Sequence, residues 1–259
     1  MSFRPYVLGE TPWSVVRSTR YSVAVLPWGA TEAHNYHLPY ATDTYEAENI
    51  AIEAAAHAWQ KGARAVVLPA VPYGVNTGQL DIPLTLNLNP STQLGILQDI
   101  VHSLEPHGLR RLVIVNGHGG NDFKPLIREL QPDSEMTIVT VNWWQIEPVD
   151  KYFDQPGDHA GEAETSVMLH IMPGLVQPLE KAGRGRARTF RVAGLREGWA
   201  WTPRRWTAVT DDTGVGDPAA ATADKGERYF TAITRKLADL IVELANVPDD
   251  QLYMEAESR

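Results

Sequence analysis

The chain has 259 residues, 43% hydrophobic and 21% charged, which suits one large α/β domain or two small ones, with a real core. A formal charge of -9 without any basic stripe argues against nucleic acid as a partner, because phosphate contacts need such a stripe, and leaves a small molecule as the expected substrate. There is no cysteine, so disulfides, thiolate zinc sites and a thiol nucleophile are excluded together, and any metal must be held by histidine and carboxylate.

The start, MSFRPYVLGE, holds no signal-length apolar run, and no segment reaches the ~20 apolar residues of a membrane helix; the expected location is cytoplasmic. Residues 22–27 (SVAVLP) form a short apolar run stopped by proline. Residues 43–62 carry apolar positions at helical spacing, open on an acid and end at glycine. A second apolar run covers 63–71. A second helix is expected over 91–107, opened by a Pro-Ser-Thr cap. Strands follow at 110–116 and 136–142 with a short helix at 121–130 between them. Another helix starts near 161–170, and a long amphipathic one, continuous or interrupted, covers 217–246. Strands this uniformly rich in Val, Ile and Leu, alternating with helices, predict a single α/β domain over 1–259. Its sheet is mainly parallel and flanked by helices on both faces. Residues 72–90 and 173–216 are long and aperiodic, as functional loops or subunit contacts are.

Ligands of open α/β sheets bind beyond the carboxyl ends of the strands. After the first strand come Glu32, His34, His37 and Asp43; after the third, His118 between glycines; after the fourth, His159, Glu162 and Glu164. Three strand ends thus bring imidazoles and carboxylates to one edge. Glu32 and His34, two apart, point the same way in extended backbone. Alone, these residues fit a polar loop with a capping Asp43 as well as they fit a metal site. Glu162 and Glu164 diverge by about 200° on a helix, so at most one faces a metal directly. His37 suits a supporting or wall position, while His57, His102, His107 and His170 suit ordinary helical structure. Trp143, Trp144, Trp199, Trp201 and Trp206 suit a substrate roof, a core edge or an interface, and Arg184, Arg186 and Arg188 a solvated loop.

The stretch LPWGATEAHNYHLPYATD (26–43), NGHGGN (116–121) and HAGEAETS (159–166) closely resemble the motifs of the creatininase (creatinine amidohydrolase) family, in the same order and at similar spacing over roughly the first two thirds of the chain. The resemblance implies a dinuclear centre of zinc, manganese or iron, and hydrolysis of a C–N bond in a small amide, cyclic amide or formamide by a metal-bound hydroxide. It also implies a homo-oligomer, often a hexamer. Carried over by position, Glu32 holds one metal, His34 the other, Asp43 bridges them and His118 completes the first. Creatininase has a glutamate where this chain has Gly120; Glu162 is expected to supply the missing carboxylate, with Glu164 in support. His159 is expected to be the catalytic general acid that protonates the departing nitrogen. Creatininase also places a tyrosine and a tryptophan where this chain has Gly119 and Gln155, which turns the expectation away from creatinine. The family further includes a peptidase-like member and a hydrolase of a cyclic ketone derived from inositol. The latter is the alternative reading.

Overall fold

Both sets of alternating residues in the first strand, β1 (Val23–Trp28), are apolar, and every residue of it is buried. Such a strand needs cover on both faces. The computed structural model, which describes residues 3–254, supplies it. β1 leads to α1 (Thr42–Gln60), β2 (Ala65–Val67), α2 (Pro90–Leu104), β3 (Arg111–Asn116), α3 (Phe123–Leu130), β4 (Thr137–Asn142), α4 (Glu162–Ile171) and α5 (Ala223–Asn246). The four strands form one parallel sheet in the order β2-β1-β3-β4, as the sequence pattern predicts.

The period of two sorts the strands between two cores. Val23, Val25, Val113 and Val115 face α1, α4 and α5. Ala24, Leu26, Leu112 and Ile114 face α2 and α3. Alanines at 47, 51, 54, 55 and 58 give α1 a small-residue face that lies close against the sheet. The chain then reverses through Gly62, whose φ of +93° suits glycine alone. Fully burying one of the larger aliphatic side chains contributes about 1.5–3 kcal/mol, so these two layers carry most of the stability.

Two boundaries differ from the sequence expectation, and a third resolves an alternative that the sequence leaves open. The apolar run 63–71 pairs only over Ala65–Val67, because Pro69 cannot donate to the ladder; pairing resumes as a lone bridge between Val71 and Trp28. The expected Pro-Ser-Thr cap of α2 does not form: Pro90 takes the first helical turn and the Asn89 side chain makes no capping bond. The 217–246 segment splits into a short turn at Pro218–Ala220 and α5, whose cap is Thr222 accepting from the Lys225 N–H. Among the described residues no helix is long and apolar enough to cross a membrane.

β1 has β2 on one side and β3 on the other, so the order in which strands are added reverses between β1 and β3. The carboxyl ends of this central pair form the crevice in which α/β sheets hold ligands.

Candidate metal centre

The loop after β1 delivers Glu32 and His34, and the first turn of α1 delivers Asp43. The turn after β3 delivers His118. The segment between β4 and α4 delivers His159, and α4 itself Glu164. Their ligand atoms fall into three overlapping groups: Glu32, Asp43 and His118; His34, Asp43 and Glu164; Glu32, His34 and His159. His34 Nε2 lies 2.8 Å from Asp43 Oδ1, and His118 Nδ1 lies 3.0 Å from Glu32 Oε1 and 3.1 Å from Asp43 Oδ2. His159 Nδ1 is 3.6 Å from Glu32 Oε1. Asp43 Oδ2, though close to His118, makes no regular hydrogen bond among the described residues.

Each imidazole is tied by its other nitrogen to a backbone carbonyl. His34 Nδ1 meets Glu32 O at 3.1 Å, His118 Nε2 meets Val75 O at 3.0 Å and His159 Nε2 meets Ala33 O at 2.8 Å. A carbonyl only accepts, so each of these nitrogens carries the hydrogen, and the nitrogen facing the centre is bare in the neutral ring. Carbonyl contacts of this kind orient metal-ligating histidines.

The charges are unbalanced. Glu32 and Asp43 are buried, Glu164 is half-buried, and among the described residues no lysine or arginine pairs with any of the three. Burial pulls His34 down, but Asp43 and its neighbouring acids outweigh this and lift it to about 10. His118 is likewise raised against its burial by Glu32 and Asp43. Asp43, despite burial, is held below the usual carboxylate range by His34 and His118, whereas burial pushes Glu164 up. Protons on imidazoles thus do in part what a cation does better. Buried carboxylates without a fixed cation, gathered around imidazoles that can give up those protons, are a donor set for hard-to-borderline divalent cations, and the residues fit the divalent metals that the resemblance implies.

Two expected placements change. Glu162 does not reach this cluster. Fully buried at the start of α4, it accepts from the Gln155 N–H at 2.7 Å and forms an ion pair with Lys225 of α5, which also contacts Asp154 at 3.0 Å. Glu164 is the glutamate that points at His34 and Asp43. His37 stands behind the cluster, its Nε2 2.8 Å from Thr165 Oγ1; burial and the nearby His34 lower it to about 4, so it is neutral.

Sequence reasoning missed Gln79, which donates to Glu32 Oε2, and Glu46, which is fully buried one turn beyond Asp43 with neither carboxyl oxygen bonded. It also missed the three carbonyls, which no side-chain signal could reveal. The cluster forms the floor of a cavity of about 560 Å³. Trp144, Trp201 and Arg204 stand on its wall; Trp143 is in the core, and Trp199 is 77% exposed.

The family profile of creatininase, described as creatinine amidohydrolase, matches residues 10–241. The chain belongs to the creatininase family. A mycofactocin precursor peptide peptidase of Mycobacterium tuberculosis is 30% identical over 95% of this chain and 94% of its own length. The creatinine amidohydrolase of Pseudomonas putida is 29% identical over 91% of this chain and 96% of its own. A Bacteroides fragilis crystal structure, provisionally named a creatinine amidohydrolase, superimposes with a TM-score of 0.92 at 44% identity, covering 98% of this chain and all of its own. A mutant creatininase has been solved as a Zn–Zn type, and creatininase with manganese; each has a TM-score of 0.77 at 25% identity, and this chain is covered to 93% and theirs to 98%.

Proposed function

We propose that this creatininase-family hydrolase takes two divalent cations, zinc, manganese or iron, and cleaves a C–N bond of a small amide, cyclic amide or formamide. The observation that carries the reading is the buried cluster of three carboxylates and three imidazoles, with no lysine or arginine paired to it among the described residues, beneath the cavity. Glu32, Asp43 and His118 would hold one cation, and His34, Asp43 and Glu164 the other, with Asp43 shared. Bound there, such a pair polarises a carbonyl and acidifies water.

The chain's own residues supply the proton traffic. Burial and the neighbouring His34 lower His159, so in the resting protein its Nδ1 is a bare acceptor and its Nε2 hydrogen is held by the Ala33 carbonyl. His159 therefore takes the proton of the attacking water at Nδ1 first and then, as the acid, returns it to the departing nitrogen. The edge of the Trp206 ring, 5.2 Å from the His159 ring, closes one side of the imidazole and limits its rotation. Gln79 holds Glu32 from the cavity wall.

A peptide-derived amide is a second reading, favoured by the precursor peptide peptidases among the relatives and by the open space beside Gly119. A homo-oligomer belongs to the proposal, and sedimentation velocity checks it.

The test is metal content per chain by plasma mass spectrometry, followed by turnover of a panel of formamides, cyclic amides, short peptides and inositol-derived ring ketones. Two first-row metals and amide turnover are expected. A single metal would refute the dinuclear reading, and turnover of ring ketones alone would move the assignment to that alternative.

A further inference from the structure

A closed circuit of hydrogen bonds holds His118, and backbone groups set its directions. Val75 O accepts from His118 Nε2 at 3.0 Å. The Val75 N–H donates to Asn121 Oδ1 at 3.1 Å, which fixes the orientation of the Asn121 amide. Asn121 Nδ2 then donates to Asn116 Oδ1 at 3.0 Å, and that oxygen also accepts the His118 N–H at 3.1 Å. Gln93, from α2, gives Asn121 Oδ1 a second donor at 3.0 Å. Asn116, Asn121 and Gln93 are all buried, so a broken link has no water to replace it.

The circuit also decides what stands at position 120. A Cβ on Gly120 would lie 2.2 Å from Val75 O and 2.4 Å from His118 Nε2, across the bond that orients the imidazole. A side chain at 120 and the contact between Val75 and His118 exclude each other. The glutamate of creatininase at this position cannot be grafted onto this chain.

We infer that Asn121 is a positioning residue of the centre: through the Val75 peptide it sets the tautomer and direction of His118, and Gly120 leaves the room that contact needs. This rests on the cluster being a metal centre and goes beyond it, because the Asn121 side chain reaches His118 only through Val75 and Asn116.

The probe is cobalt(II), titrated into the full-length metal-stripped protein and followed by visible absorption and by competition with a chelator. Asn121→Asp keeps the acceptor for Val75 but loses the donation to Asn116. Gly120→Ala keeps every bonding group but fills the space, and it carries the test if the Asn121 variant does not fold. Thr234→Ala, a buried change on α5 that removes a bond to Phe230 O, controls for general destabilisation. Both site variants should bind one of two cobalt ions 10–100-fold more weakly, with an altered spectrum, while Thr234→Ala leaves affinity and spectrum unchanged. Wild-type affinity and spectrum in both site variants would overturn the inference, as would equal effects in the Thr234 control. If the wild type takes up no cobalt, the metal reading falls and this inference with it. If the wild type takes up cobalt and both site variants match its affinity and spectrum, the metal reading stands without this inference.

Discussion

Glu162 and Glu164 sit two residues apart on α4, and the helical turn sends them in opposite directions. One enters the cluster with His34 and Asp43; the other is clamped by Lys225 and the Gln155 N–H. Glu164→Gln should therefore cost one of two metals per chain, measured by plasma mass spectrometry. Glu162→Gln should keep both and lower the melting temperature, because it weakens a buried ion pair. The reverse pattern would restore Glu162 as the ligand. His159→Ala should leave metal content nearly intact and cut kcat by about 10²–10⁴. Because His159 is lowered from its ordinary value of 6.5, the acid limb of the wild-type kcat profile should fall below that pH and vanish in the variant. Spacing alone shows that only one glutamate can face a metal. It cannot show which, because the deciding partner, Lys225, arrives from a helix some sixty residues later.

α4 is aimed by its crossing with α5. A Cβ on Gly226 would lie 1.9 Å from Ser166 O, and the Thr222 N–H donates to Ser166 Oγ at 3.2 Å, so the two helices touch backbone to backbone beside the Lys225 clamp. Gly226→Ala should push α4 away, costing about 1–3 kcal/mol and roughly 2–10 °C in melting temperature by calorimetry. The cation held by Glu164 should be lost to a chelator before the one held by His118. An unchanged melting temperature would mean that the crossing is not tight in solution. Strand and helix order was legible because apolar runs and helical spacing are local signals. The loops at 72–90 and 173–216 were legible only as long and irregular. Their shape comes from distant contacts: a Cβ on Gly78 would lie 2.1 Å from Arg204 O, and Arg204 pairs with Asp158 beside the catalytic candidate His159.

Across the molecule, an acidic chain gathers several acids in one buried place and leaves the metal-free fold to bear the cost. Glu46 shows this most plainly, because neither oxygen of its carboxyl group has a hydrogen-bond partner among the described residues. Burial first, then Glu164 and Asp43, push it well above its ordinary value of 4.5. An unfolded chain releases this proton near 4.5 while the folded chain keeps it. The folded state then binds more protons, so stability falls as pH rises above the unfolded value, until Glu46 ionises in place. The slope for one proton is at most about 1.4 kcal/mol per pH unit. Glu46→Gln removes the titration and keeps the shape. The metal-free variant should melt above the wild type, by a gap that widens from about pH 5 to about pH 7. A constant gap would mean that Glu46 is already ionised in the fold. Cations at the neighbouring carboxylates should narrow the gap, since they remove the charge that Glu46 faces. They should also raise both melting temperatures, by the equivalent of about 2.7 kcal/mol for each bound cation at a hundredfold excess over its Kd. Narrowing on metal addition would tie the acid behind the cluster to the charge in front of it.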